Sequence, residues 1–361
     1  MGRDTRASSF QFGAVKCRTI IAVLREPSSV MTEQSLFPSH HFKSISCSGT
    51  KPGPRLIVLG AVHGNETCGT QAITRVLDDI DACRLNVSAG TVTFVPITNP
   101  FAYQRHERTG NRNLNRNLYP VADPKDFEDH IANWLCPLLA KHDVLLDLHS
   151  TRAQNPAFAM LGPENNSGSL QPFVHNEKER ALALRLGVKR FVEGWLSTYA
   201  KGVNRRVRLA CSAGKPLNPL NTDPRYGVGT TEYMRSVGGY AITLECGQHD
   251  DPASPEIGYH AILNTLAYLG ISASPAPPPV TEYEALRMYE VHDRNHAGDT
   301  FSRAWASFDP LRKGDLIGTR HDGTVLLAED DGCILFPDAK AEPGNEWFYL
   351  TRTIASIQAN S

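Results

Sequence analysis

Residues 56–66 read LIVLGAVHGNE: an apolar run, then a glycine-bearing turn that presents His63 and Glu66 three residues apart. An unbroken apolar run bounded by such a turn predicts a strand packed on both faces. A second run of this type, VLLDLHS, ends at His149. Two imidazoles and a carboxylate form the ligand set of a hydrolytic zinc centre, in which one position stays open for water. His63 and Glu66 are expected to point the same way from the first turn of a helix, with Gly64 relieving crowding at the bend. HxxE alone is common and would read as a capping glutamate beside a surface histidine. A histidine that closes a strand and is followed by Ser150 and Thr151 is poorly explained by packing, and it moves the reading to one zinc ion held by His63, Glu66 and His149. Asp147 shares a strand face with His149 and can hold its tautomer, although an unrelated buried hydrogen bond explains it equally well.

The 361 residues suffice for a large α/β domain and a smaller one, and the apolar fraction of 41% suits an ordinary core. A net charge of -1 gives no global electrostatic reason to expect nucleic acid or membrane partners, so a charged ligand must be met locally. The eight cysteines are scattered without a CxxC pair and read as reduced thiols. No run has signal-peptide or membrane-span character, so a soluble cytoplasmic protein is expected; a homo-oligomer is compatible with the sequence.

Outward from the opening stretch, RLIVLG, TVTFVPIT, VLLDLHS and YAITLEC alternate with helical periods in CGTQAITRVLDDI, FEDHIANWLCPLLAKH and EKERALALRLGVKRFVEGW. That alternation predicts an α/β fold with a mainly parallel (mixed) sheet and helices on both faces. Ligand sites in such sheets lie beyond the carboxyl ends of strands, where His63, Glu66, His149 and Glu245 all fall. Residues 1–41 read as a lead-in in which CRTIIAVLRE could add an edge strand, and 42–271 as the catalytic domain. The segment SASPAPPPV, 272–280, reads as a semi-rigid linker. KGDLIG, DGTVLLA, DGCILFP and WFYLTR then predict a small C-terminal all-β domain over 281–361.

The loop RHERTGNRNLNRNLYP lacks helical or strand period and aromatic platforms for bases. Its guanidinium groups suit bidentate recognition of a carboxylate, hence a small anionic substrate. Glu245 ends an otherwise buried strand, where an ionised carboxylate is costly unless paired or functional; near a zinc-bound water it can act as general base, and a salt bridge to an arginine is the bland alternative. Cys246 alternates to the opposite strand face, and it and His249 read as bystanders.

HGNE, NLNRN, DLHS and TLECG, in this order and at these separations, resemble the succinylglutamate desuccinylase and aspartoacylase family, relatives of the zinc carboxypeptidases. The resemblance runs from about Phe42 to the chain end, the β domain with its CILFP segment included. It implies a zinc carboxypeptidase-like fold, zinc on His63, Glu66 and His149, and Glu245 as the glutamate that activates water. It also implies Arg108 as the residue that polarises the scissile carbonyl, Asn115 and Arg116 as the grip on the substrate carboxylate, and Arg235 as a further substrate arginine. Asn113 stands where the family has aspartate, and Thr231 where aspartoacylases have a tyrosine, with Tyr233 as a nearby substitute. Both departures are expected to fall in the substrate pocket and leave the metal site untouched.

The expected activity is therefore zinc-dependent hydrolysis of the amide in a small anionic N-acyl amino acid, without nucleic acid or membrane partners. A metallocarboxypeptidase acting on short peptides is the nearer alternative, against which the β domain argues because in the relatives it narrows the active-site entrance. A non-catalytic zinc or anion-binding protein is the more distant one. A carrier domain for a lysine-bound cofactor is set aside, since Asp322-Gly323 and Asp331-Gly332 occupy the hairpin tips.

Overall fold

Strands without polar interruption need cover on both sides, and the apolar runs become the interior of a large sheet. The computed structural model describes residues 41–357 except 213 and 215–221, so the CRTIIAVLRE stretch lies outside the described residues. In chain order come β1 (Ile45–Ser48), β2 (Lys51–Leu59), α1 (Cys68–Asp81), β3 (Ala89–Val95), α2 (Pro100–Arg105), α3 (Phe127–Leu139) and β4 (Val144–Thr151). There follow β5 (Phe158–Met160), α4 (Asn176–Ala183), β6 (Arg190–Glu193), α5 (Trp195–Ser212), α6 (Thr230–Ser236), β7 (Tyr240–Gln248) and α7 (Ser254–Tyr268). The chain closes with β8 (Glu284–Asp293), β9 (Thr300–Phe301), β10 (Pro310–Leu311), β11 (Leu316–Thr319), β12 (Val325–Leu327), β13 (Gly332–Leu335) and β14 (Glu346–Thr353).

Eleven strands form one mixed sheet in the order β1-β3-β2-β4-β7-β5-β6-β8-β14-β13-β10, and β12-β11-β9 form a small antiparallel sheet. At the centre β3, β2, β4 and β7 run parallel. The fold is the α/β arrangement expected, with two local differences. Residues 177–195 do not form one helix: α4 stops at Ala183, Gly187 takes φ +98°, and the chain re-emerges as β6 with Phe191 and Val192 buried in the sheet. The stretch EALRMYEVHD becomes β8, pairing in parallel with β6 and antiparallel with β14. The main sheet thus continues past the proline-rich segment.

Period two along β4 divides its side chains between environments. Leu146 and Leu148 join a core with Leu56, Val58, Leu244 and Cys246, covered by Ala72 and Ile73 of α1 and Ile262 of α7. Asp147 and His149 point to the other face, where α6 packs on β4 and β7.

Candidate metal centre and active site

β2 and β4 lie in parallel register and deliver their carboxyl ends to the same edge. The turn after β2 is closed by the Glu66 N–H donating to the His63 carbonyl at 3.1 Å, and α1 starts only at Cys68. His63 and Glu66 therefore converge from the turn ahead of the helix, not from its first turn. Gly64 is required by close approach: a Cβ there would stand 2.0 Å from the Ala102 backbone.

The ligand atoms of His63, Glu66 and His149 all lie within 4.8 Å of one another, and the three residues are buried. Glu66 places Oε1 2.9 Å from His63 Nδ1 and Oε2 2.8 Å from His149 Nδ1. Behind them, His149 Nε2 donates to Asp147 Oδ2 at 2.9 Å and His63 Nε2 donates to Asn113 Oδ1 at 3.0 Å. Both imidazoles thus turn Nδ1 inward with the tautomer set from outside, the pattern of metal-bound histidine. Burial, with Arg108 nearby, pushes His63 down to about 4. His149 is buried too, but the charges of Asp147 and Glu66 hold it well above the ordinary value. Burial alone would raise Glu66, yet the two histidines hold it well below. With its proton on Nε2, His63 turns a buried Nδ1 lone pair to Glu66 Oε1, a contact between two acceptors. A buried lone pair beside a second imidazole and a carboxylate fits a divalent cation, and the donor set suits zinc.

Glu245 sits beside His149 in the β4–β7 register. Its Oε2 is buried without a hydrogen-bond partner among the described residues, and burial, aided by the negative charge of Glu66, pushes its pKa up to about 7. Cys246 turns into the core on the opposite face. His63, His149 and Glu245 open onto a cavity of about 890 Å³ that Arg108, Asn115, Arg116, Thr231 and Arg235 also line, and to whose wall residues 336–342 contribute.

The loop bearing the arginines is organised by Glu128, whose buried carboxylate accepts the N–H groups of Gly110, Asn111 and Arg112 and the Asn99 side chain. Arg112 pairs with Asp129 at 2.8 Å and donates to the Arg116 carbonyl, so it braces the loop. Arg108 reaches Glu66 Oε1 at 2.7 Å. Asn115 Oδ1 accepts the Thr230 N–H at 2.9 Å, and Gly229 is needed there because a Cβ would meet that oxygen at 2.0 Å. Arg116 lies over the Trp195 ring at 4.5 Å and has no ion-pair partner among the described residues, leaving its charge to the cavity.

Two expectations, on Asn113 and Tyr233, need correction, and Arg235 has a partner in the fold as well as a place in the cavity wall. Asn113 lines the cavity, but its oxygen also holds His63, so that departure from the family pattern touches the metal centre. Arg235 is committed to a buried pair with Glu179, at 2.9 and 3.2 Å, and to the Ala241 carbonyl. Tyr233 does not line the cavity: the helical phase of α6 that directs Thr231 and Arg235 inward turns it towards Tyr119 and Cys136.

Sequence reasoning also passed over residues that shape the site. Trp195, Tyr199 and Tyr349 supply an aromatic wall. His249, read from the sequence as a bystander, lines the cavity while its Nδ1 lies 2.9 Å from Ser150 Oγ. The available signal for His249 was its position just past the strand that ends the site.

An α/β sheet that carries a buried His-Glu-His cluster and an acidic neighbour at its carboxyl edge has the donor set to hold a divalent cation. Residues 52–167 match the model of the succinylglutamate desuccinylase/aspartoacylase catalytic domain. A comparison with curated proteins returned no match. Among solved structures, a succinylglutamate desuccinylase/aspartoacylase from Rhodobacter sphaeroides is 17% identical, with TM-score 0.65 over 87% of this chain and 90% of that one. The succinylglutamate desuccinylase of Vibrio cholerae is 18% identical, with TM-score 0.62 over 86% and 85%. The product-bound ectoine utilization protein EutE (DoeB) of Ruegeria pomeroyi is 20% identical, with TM-score 0.61 over 84% and 87%. At these identities the likeness is one of fold. No described helix is long and apolar enough to cross a membrane.

Proposed function

We propose that this chain is a zinc-dependent deacylase that hydrolyses the amide of a small N-acyl amino acid or a related carboxylate-bearing amide. The observation that carries the reading is the buried convergence of His63, Glu66 and His149 beside a Glu245 oxygen that has no hydrogen-bond partner among the described residues. Held by those three residues, a zinc ion would supply Lewis acidity and lower the pKa of water. Glu245, poised near neutrality by burial, removes a proton from the attacking water and returns it to the departing nitrogen. Water and amide thereby become a carboxylic acid and a free amine. Arg108, which keeps further donors beyond its bond to Glu66, faces the oxygen that gains charge. Arg116, stacked on Trp195 and without an ion-pair partner among the described residues, with Asn115 fixed against α6, takes the substrate carboxylate and sets which bond meets the nucleophile. The activities in the names of the family and of the fold relatives agree with an N-acyl amino acid.

The size of the cavity, about 890 Å³, is the one observation that favours the second reading, a carboxypeptidase acting on short peptides. The test is amine release by the zinc-reconstituted chain from N-formyl, N-acetyl and N-succinyl amino acids, their carboxyl-blocked amides, and dipeptides. Release from the acyl amino acids and not from their blocked forms is expected. Equal rates on blocked substrates, or release from dipeptides alone, would replace this reading.

A further inference from the structure

The two imidazoles of the cluster are held from behind by acceptors of unlike charge. His149 Nε2 donates to Asp147 Oδ2 at 2.9 Å, a fully buried carboxylate oxygen that also accepts from Thr230 Oγ1. His63 Nε2 donates instead to a neutral carboxamide, Asn113 Oδ1, at 3.0 Å. The same oxygen accepts the Asn115 backbone N–H at 2.9 Å. That second bond fixes which way the carboxamide faces, because its nitrogen has no lone pair to offer the amide. Asn113 therefore enforces the same histidine tautomer as Asp147 while adding no negative charge. An anionic acceptor makes the imidazole in front of it more basic and a stronger donor to a cation; a neutral one orients it with less of that gain.

We infer that Asn113 is a positioning residue that sets how tightly this centre holds its metal: it orients His63 through a neutral acceptor and so leaves the cation weaker bound and more exchangeable than a carboxylate there would. The inference rests on the proposed metal reading. It also joins two parts of the site, since one oxygen orients a ligand and anchors the backbone of Asn115, which borders the same cavity.

The experiment measures zinc affinity of the metal-free full chain by competition with a chromophoric chelator, with thermal unfolding of each metal-free variant alongside. Asn113→Asp keeps shape and acceptor and is expected to tighten binding by about tenfold, the scale of such supporting contacts. Asp147→Asn removes the charge behind the other imidazole and is expected to weaken binding by about the same factor. The double variant, with the charge moved from one histidine to the other, should return towards the parent. Asn113→Leu, which loses the acceptor, should weaken binding. If the parent binds one zinc and Asn113→Asp binds it no more tightly, this inference fails while the metal reading stands. If Asn113→Asp does not fold, unchanged affinity in Asp147→Asn overturns the inference equally. A parent chain that binds no zinc removes both.

Discussion

Glu245 Oε2 is a buried atom without a hydrogen-bond partner among the described residues, and His63 Nδ1 is a buried lone pair facing Glu66 Oε1, placed where a water and a cation would satisfy them. A buried polar atom left unmatched costs about 1–3 kcal/mol, so a side chain kept in that state has a use. Glu245→Gln keeps the shape and removes the base: kcat should fall by about 10²–10⁴ with zinc content unchanged, whereas His63→Ala should lose metal and turnover together. Metal analysis beside steady-state kinetics reads both, and a Gln variant within about tenfold of the parent would remove Glu245 as the base. Arg235 divides two roles. Its guanidinium and Glu179 are both buried, and stripping one partner from such a pair costs about 3–5 kcal/mol. Arg235→Ala should therefore appear first as a lowered melting temperature. Unchanged stability with a raised KM would return Arg235 to the substrate.

Among the elements, β8 and β14 carry a titration remote from the metal centre. His292 lies opposite Phe348 in their register and stacks on its ring, with centroids 4.7 Å apart and planes inclined by 18°. Burial pushes His292 down to about 4, and its Nε2 has no hydrogen-bond partner among the described residues. The unfolded chain takes this proton near pH 6.5 and the folded one only near 4, so the contribution to stability is complete above the first value and is lost as pH falls towards the second. The difference amounts to about 3 kcal/mol at the acidic end. Calorimetric melting across that window should fall more steeply for the parent than for His292→Phe; parallel curves would mean that the imidazole ionises freely in the fold. α6 shows the cost of phase in a short helix. Its inward positions go to Thr231 and Arg235, and the tyrosine between them is left to pack on Tyr119.

For the whole molecule, the sheet does not stop at the proline-rich segment. β8 pairs with β6, and a core of Phe158 and Val192 is completed by Leu286, Met288, Val291 and Tyr349 from beyond that segment. Ending the chain at residue 271 would bare a strand edge and half of that core. Size-exclusion chromatography of 1–271 should show aggregate. A stable, monodisperse truncated chain would mean that the first part folds alone. The same cut removes Tyr349 and residues 336–342 from the cavity wall.

The sequence by itself determined the central strands, their alternation and the convergence of His63, Glu66 and His149. In VLLDLHS a period of two is enough to send Asp147 and His149 to one face and their leucine neighbours to the other, and the same rule set Glu245 apart from Cys246. Such patterns are local, so they can be read without knowing what lies across the sheet. Only the tertiary structure decided that Asn113 backs His63 and that Glu128 folds the arginine loop around itself. It also decided that Arg235 answers to Glu179, 56 residues away, and that β8 extends the main sheet. A hydrogen bond or ion pair between distant segments leaves no periodic trace along the chain. Whether a charged side chain serves substrate or fold depends on which partner arrives opposite it.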